Sequence, residues 1–449
     1  MMISNAWAAA AVFSLAGSAL AGTPTFDNTL GVPGLSGSYA AAFAVWDDGT
    51  GESLYVTGSC SIPGVVGGTL IARWDGSAWA PVGGGLQNGY SNTMAVYQGD
   101  LVVGGYFDTA GGVAGTAKLA RWDGAAWNSM DAQSESFLNS IWDLQVWDDG
   151  VTGEQLYVAG NYLDLNGQAA LDHIAKWDGT TYTAVGGTIT GAVPLIVLDL
   201  HVADLGDGEA LYAGGRFLNI GGVAANNIAK WDGTAWSPLG GGLYRSSGVA
   251  QVIHMTSWDD GNGTALYAAG TFNRADSGTV VQNVAKWDGT SWTPMGDGLD
   301  LTVQELVVWD DGSGEALYAL GNFNNSGANP VSRMAKWNGT SWEQVGSGFD
   351  GNIYGGLVYD LGDGPALHIA GGFSNADGQP ANRVTSLLPA ASCPADLAEP
   401  FGTLNIFDIQ AYIGLYNAQD PSADLAEPFG TLNIFDIQAF IGLYNAGCP

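Results

Sequence analysis

Ile228-Ala-Lys-Trp231-Asp-Gly-Thr-Ala-Trp236 is the stretch on which the fold turns, because close copies of it recur along the chain. Trp74, Trp122, Trp177, Trp231, Trp287 and Trp337 each open Trp-Asp-Gly or Trp-Asn-Gly, at spacings of 48, 55, 54, 56 and 50 residues. A period of this length marks a repeat architecture, in which each unit buries its apolar faces against its neighbours. A seventh, degenerate copy follows: Asn382 to Leu387 stand where Ser332 to Trp337 stand, so Leu387 takes the tryptophan position. A second marker gives the same count, with Leu54, Leu101, Leu156, Leu211, Leu266, Leu317 and Leu367 at one position each.

Within one unit, residues 303–349, the pattern predicts four short strands: Val303 to Trp309, Ala316 to Leu320, Met334 to Trp337 and Ser341 to Val345. Between the last two lies Asp-Gly in five units and Asn-Gly in the sixth, which predicts a two-residue hairpin with both central residues at positive φ. The expectation is an all-β chain, a seven-bladed β-propeller of four-stranded blades over residues 22–390. The seventh unit stops at Leu388 and Pro389 without a fourth strand, and Phe26 to Leu35 resembles the missing piece. Phe26 would play the part of Trp292, and the mature N-terminus is expected to complete the last blade.

Composition agrees with many short strands and tight turns: 69 glycines among 449 residues, with 46% apolar content. Twelve Lys and Arg against 44 Asp and Glu give a formal charge of −32, which repels a phosphate backbone and excludes nucleic acid as a partner. Residues 1–21 carry an apolar stretch from Trp7 to Leu20 that ends in Ala19, Leu20, Ala21, a signal-peptide pattern that predicts a secreted or cell-surface protein. No later stretch is apolar and long enough to span a bilayer. In an oxidising compartment Cys393 and Cys448 are expected to pair, leaving Cys60 as a buried thiol.

The Gly-Gly-x-Phe stretches at Gly104 to Phe107 and Gly214 to Phe217, shortened at Gly371 to Phe373, accompany the Trp-Asp-Gly turns and second aromatics such as Trp127 and Trp236. In these features the body resembles kelch-like and galactose-oxidase-like propellers and, more closely, repeat proteins related to the cell-polarity marker family. The resemblance implies a fold and no activity. His173, His201, His254 and His368 fall at unrelated positions, and no set of Tyr, His and Cys assembles a copper centre, so no catalytic residue is assigned. The acidic hairpins at Asp47, Asp48, Asp148, Asp259 and Asp310 read as turn chemistry, with calcium loops as the alternative. Arg73, Arg121, Lys176, Lys230, Lys286 and Lys336 precede the six tryptophans and make up half of the 12 basic residues. Two readings stand for them: pairing with acidic loops of an adjacent blade, or a ring that binds an anionic or sugar ligand.

Residues 391–449 form a second module in which 395–418 and 423–446 are nearly the same sequence, 28 residues apart. Each copy predicts a loop followed by a helix starting near Asn405 or Asn433, with Asp408 or Asp436 as capping partner. Ile406, Ile409, Ile413 and Tyr416 are expected to pack on Ile434, Ile437, Ile441 and Tyr444. Ending in Gly447, Cys448 and Pro449, the module resembles a dockerin of the bacterial Gly-Cys type. That resemblance implies calcium at Asp396, Asn405, Asp408 and at Asp424, Asn433, Asp436, although Ala398, Pro400, Ala426 and Pro428 hold the middle ligand positions. A metal-free, disulfide-closed loop is the alternative. The resemblance also implies a cohesin-like or other surface-anchoring partner read by Ile406, Phe407, Ile434 and Phe435, for which core packing competes.

These readings converge on an exported, non-catalytic propeller with a sugar or protein ligand on its loops and a dockerin-like tether. The alternative is a carbohydrate-active enzyme, which needs two carboxylates about 5–10 Å apart in one pocket. The acids recur as turn residues and no pair stands out in the sequence.

Overall fold

The computed structural model describes residues 24–65, 70–132, 140–168, 170–191, 194–362, 364–390, 406–419, 423–426 and 432–446. The signal-peptide segment, Cys393, Asp396, Asn405 and Cys448 lie outside the described residues. One compact unit comprises Thr25–Trp309 and Glu315–Leu388, and the C-terminal helices belong to another. Among the described residues no helix is long and apolar enough to cross a membrane.

Among the described residues the body is built mainly of antiparallel strands, which form seven four-stranded sheets. Sheets 1 to 7 are numbered by their first strands: Ser36–Asp47, Leu86–Tyr97, Ile141–Asp148, Ile196–Asp204, Gln251–Asp259, Val303–Asp310 and Ile353–Asp360. Sheet 4 is typical, adding Glu209–Arg216, Ile228–Trp231 and Trp236–Pro238 in chain order. Its second strand is buried on both faces from Ala210 to Gly215, because neighbouring sheets cover it from either side. Met255, Leu266, Trp287 and Trp292 of sheet 5, for example, form one apolar cluster with Ala203, Tyr212 and Ile228 of sheet 4. The recurrent fourth-strand aromatic also ties sheets together, since the indole N–H of Trp292 donates to the Leu239 carbonyl at 3.0 Å and that of Trp342 to Met295 at 3.2 Å. Cys60 is buried on the second strand of sheet 1, where burial pushes its thiol up to about 12.

The turn between third and fourth strands differs from the expected two-residue hairpin. Trp231 pairs with Trp236, so four residues intervene, and within them only Gly233 has positive φ, at 95°. The Asp232 carboxylate accepts the N–H groups of Thr234 and Ala235, both at 2.8 Å, and this side-chain closure replaces the backbone geometry of a tighter turn. Asn338 does the same for Thr340 and Ser341 at 3.0 and 2.8 Å, which is why Asn substitutes for Asp there.

Sheet 7 takes its fourth strand from the other end of the chain. Thr25–Asp27 pairs antiparallel with Val384–Leu388, and Phe26 faces Leu387 as Trp292 faces Trp287. Phe26 meets Phe349 edge-on at 5.5 Å, while the Thr385 hydroxyl donates to Asn28 Oδ1 at 2.5 Å.

In the second unit, α1 (Ile406–Ala418) and α2 (Ile434–Ala446) meet through Tyr412 and Phe440, whose rings stack at 4.1 Å and 5°. Ile409, Tyr416, Ile437 and Tyr444 pack around that pair. Ile406, Ile413, Ile434 and Ile441, expected in this interface, are instead exposed. The inward direction of each helix is set by the ring at Tyr412 or Phe440, and a residue seven places from another shares its outward face.

Candidate functional site

Each first strand must bend where it passes its neighbours, and in six sheets it does so at a β-bulge that the pairing register reveals. The residues skipped are Ala41, Asn92, Trp142, Leu198, Ile253 and Tyr354. All six line a single cavity of about 720 Å³, to which Gln304 and Glu305 of sheet 6 also contribute. First strands of all seven sheets therefore reach one chamber.

The residue after the bulge carries the polar chemistry. Asp143 Oδ2 accepts the N–H of Leu200 at 2.8 Å, and its other oxygen accepts the Thr93 hydroxyl at 3.3 Å. Asp199 accepts the backbone N–H of Met255. His254 Nδ1 accepts the N–H of Leu306 at 3.2 Å, which places its proton on Nε2, and Glu305 accepts the N–H of Gly356 at 3.0 Å. From sheet 3 to sheet 7, each sheet thus hands a side-chain acceptor to the next sheet's backbone.

Burial and mutual repulsion set the charge of this chamber. Desolvation raises the Asp143 carboxyl to about 6 and that of Glu305 to about 8, where the Asp143 charge adds. Asp199 is pushed well above the usual carboxylate range by burial, then by Asp143 and Glu305. Burial holds His201 down to about 4 and His254 to about 3, so both rings are neutral near pH 7. Asp143, Asp199, His254 and Glu305 line one cavity although the sequence shows no pattern linking them, and the first three each follow a bulge residue, a backbone position that residue type does not announce.

The six basic residues lie elsewhere, on the third strands, each opposite the second-strand residue that follows the marker leucine. Arg73 pairs with Asp48 at 3.4 Å, Arg121 with Asp100 at 3.0 Å, Lys176 with Asp149 at 3.2 Å, Lys230 with Asp207 at 2.5 Å, and Lys286 with Asp260. Each acid belongs to the first turn of the same sheet rather than to an adjacent repeat, since the third strand hydrogen-bonds to the second, which that turn begins. Lys336 lies over the Tyr318 ring at 5.9 Å. In sheets 1, 3 and 5 the acid just before the partner closes the turn itself, as where Asp259 Oδ1 accepts Gly261 and Gly263 N–H at 2.9 and 2.8 Å.

In the helical unit, Asp408 and Asp436 are buried near the helix starts. Asp436 accepts the N–H of Asn433 at 2.6 Å and those of Leu425 and Ala426 at 2.9 Å, and these donors, Asn433 first, hold its carboxyl below the usual range. Asn433 returns the bond through Phe435 N–H at 2.8 Å, an N-cap in which Asp436 is the reciprocal partner. Asp424 adjoins the loop residues that Asp436 grips. Ile434 and Phe435 are 57% and 56% exposed, as Ile406 is at 58%, which leaves them outside the Tyr412–Phe440 core. Phe407 lies in the first turn of α1.

No family model matches the chain, and no curated protein matches it. Among solved structures it is similar to the extracellular domain of a hybrid two-component system from B. thetaiotaomicron, with 10% identity and a TM-score of 0.45 over 81% of this chain and 39% of that one. The same region described as a one-component system gives 11% identity and a TM-score of 0.44, over 80% and 39%. BBS1N, solved in complex with ARL6DN, is similar at 11% identity and a TM-score of 0.40, over 83% of this chain and 98% of that one. The chain thus spans about two fifths of the bacterial structures it matches, and likeness this distant assigns no function.

Proposed function

We propose that this is an exported, non-catalytic binding protein: a closed seven-bladed propeller that takes a ligand in its central chamber and is held at a surface by its dockerin-like C-terminal module. The observation that carries the reading is the single cavity lined by the first strands of all seven sheets, which a ring of blades around one axis accounts for. Pairing of Thr25–Asp27 with Val384–Leu388 supports closure of that ring. The exposed Ile406, Ile434 and Phe435 support a partner-facing use of the helix starts, for a cohesin-like or other anchoring protein. Calcium at the loops preceding α1 and α2 belongs to the same proposal. Fractionation of the native host tests it, with full-length protein against a truncation ending at Ala390. Full-length protein should stay at the surface and the truncation should appear in the medium, and a chelating wash should release the former if calcium orders the loops. Equal retention of both would sink the tether.

One observation favours a second reading, a carbohydrate-active enzyme. Asp143, with its carboxyl near 6, and Glu305, near 8, share one cavity and are set apart in protonation as an acid and base must be. Release of reducing ends from oligosaccharides, abolished by Glu305→Gln, is the result that would install it in place of the first.

A further inference from the structure

Two residues that line the chamber each carry a buried side-chain atom with no protein hydrogen-bond partner. Asp199 is only 7% exposed and lines the cavity, yet its Oδ2 is unpaired. Trp142, the bulge residue of sheet 3, lines the same cavity, and its indole Nε1 is likewise buried and unpaired. A buried polar atom left in this condition destabilises the fold, so a ligand that meets both atoms recovers that penalty.

The surroundings narrow the ligand's chemistry. Three carboxyls line the cavity and neither Lys nor Arg does, which disfavours an anion. Among the described residues no group of acids, histidines and cysteines is arranged to hold a metal ion. An apolar ligand would leave Asp199 and Trp142 unmet. An organic ammonium would satisfy Asp199 but offer no acceptor to the Trp142 N–H. Hydroxyl groups both donate and accept, and the faces of Tyr39, Phe43, Trp142 and Tyr354 supply apolar walls for the ring that bears them. The amides of Gln251 and Gln304 add donors and acceptors at the same surface. From this set we infer that the chamber binds a neutral, polyhydroxylated ring ligand, a carbohydrate chain end, with Asp199 and Trp142 as its specificity-determining contacts.

This inference rests on the chamber being the binding site, and the test separates the two. Cellotriose, maltotriose, xylotriose and mannotriose are titrated calorimetrically into the full chain, with spermidine as the cationic probe, and the titrations are repeated on Trp142→Phe and Asp199→Asn. Asp199→Asn preserves shape and Trp142→Phe keeps an aromatic face, and melting curves verify that both fold. At least one trisaccharide should bind, spermidine should not displace it, and Trp142→Phe, which keeps an aromatic face but loses the pyrrole ring and its N–H, should weaken it roughly fivefold, the equivalent of about 1 kcal/mol. If Asp199→Asn fails to fold, Trp142→Phe decides alone. Spermidine binding that Asp199→Asn abolishes, without trisaccharide binding, overturns the carbohydrate class but keeps the chamber. A trisaccharide that binds wild type and both variants equally overturns the chamber as its site, and silence from every probe overturns the inference.

Discussion

At the scale of single residues, the chamber makes stability depend on pH in two opposing ways. A carboxyl raised on folding contributes fully while protonated in both states and loses that contribution as pH climbs through its folded value. For Glu305 the window runs from its ordinary value, roughly 4.3, to about 8. His201 and His254 act in the opposite sense: held down to about 4 and about 3, they make the folded state lose ground as pH falls below the ordinary histidine value, roughly 6.5. The two effects compete between pH 4 and 6.5 (roughly, from those ordinary values), and above that range the carboxyl slope acts alone among these groups. The melting temperature is therefore expected to fall from about pH 6.5 to 8, and Glu305→Gln should flatten the decline. A variant that melts with the wild-type slope would mean Glu305 is already ionised at neutral pH.

At the scale of elements, the connection into each third strand repeats a device that residue identity conceals. Leu70, Lys118, His173, Asn227, Asn283, Arg333 and Arg383 all take positive φ, between 45° and 75°, one per sheet. At Asn283 the side chain also accepts the Phe272 N–H at 3.1 Å and donates to the Leu299 carbonyl at 2.7 Å, inside the protein. Asn283→Ala should destabilise by about 2–4 kcal/mol, through two lost buried hydrogen bonds and a conformation that Asn tolerates better than Ala. Chemical denaturation measures it, and a loss under about 0.5 kcal/mol would refute this account. The contrast explains what could be read beforehand. Trp231 and Leu211 recur because every unit buries the same face, and Asp232 or its Asn338 equivalent because a side-chain oxygen at that position closes the turn. The left-handed position and the bulge positions Asn92, Trp142 and Ile253 are backbone requirements that several residue types meet, so they leave no repeated letter. The chamber acids were hidden for the same reason, and the outward isoleucines of α1 and α2 because helical spacing alone does not say which stripe faces in.

At the scale of the whole molecule, contacts pass from first strand to first strand through sheets 1 to 5, Glu315–Gly321 of sheet 6 packs on Ile353–Asp360 of sheet 7, and Ser36–Asp47 packs against both Leu86–Tyr97 and Ile353–Asp360. Removing residues 24–35 would strip sheet 7 of its fourth strand and bare the edge of Val384–Leu388. The melting temperature should drop by ten degrees or so, and the truncated chain should self-associate, both checked by calorimetry and light scattering. An unchanged melt would show that the strand adds nothing to the stability of the body.

That same pairing has a consequence for how the chain is born. Thr25–Asp27 is synthesised more than three hundred residues before its partner strand, which ends at Leu388. Six sheets can assemble from neighbouring stretches as they emerge, whereas the seventh waits for the final repeat. Sheet 7 can therefore acquire its fourth strand only after Val384–Leu388 has been made, whatever the earlier sheets have already formed.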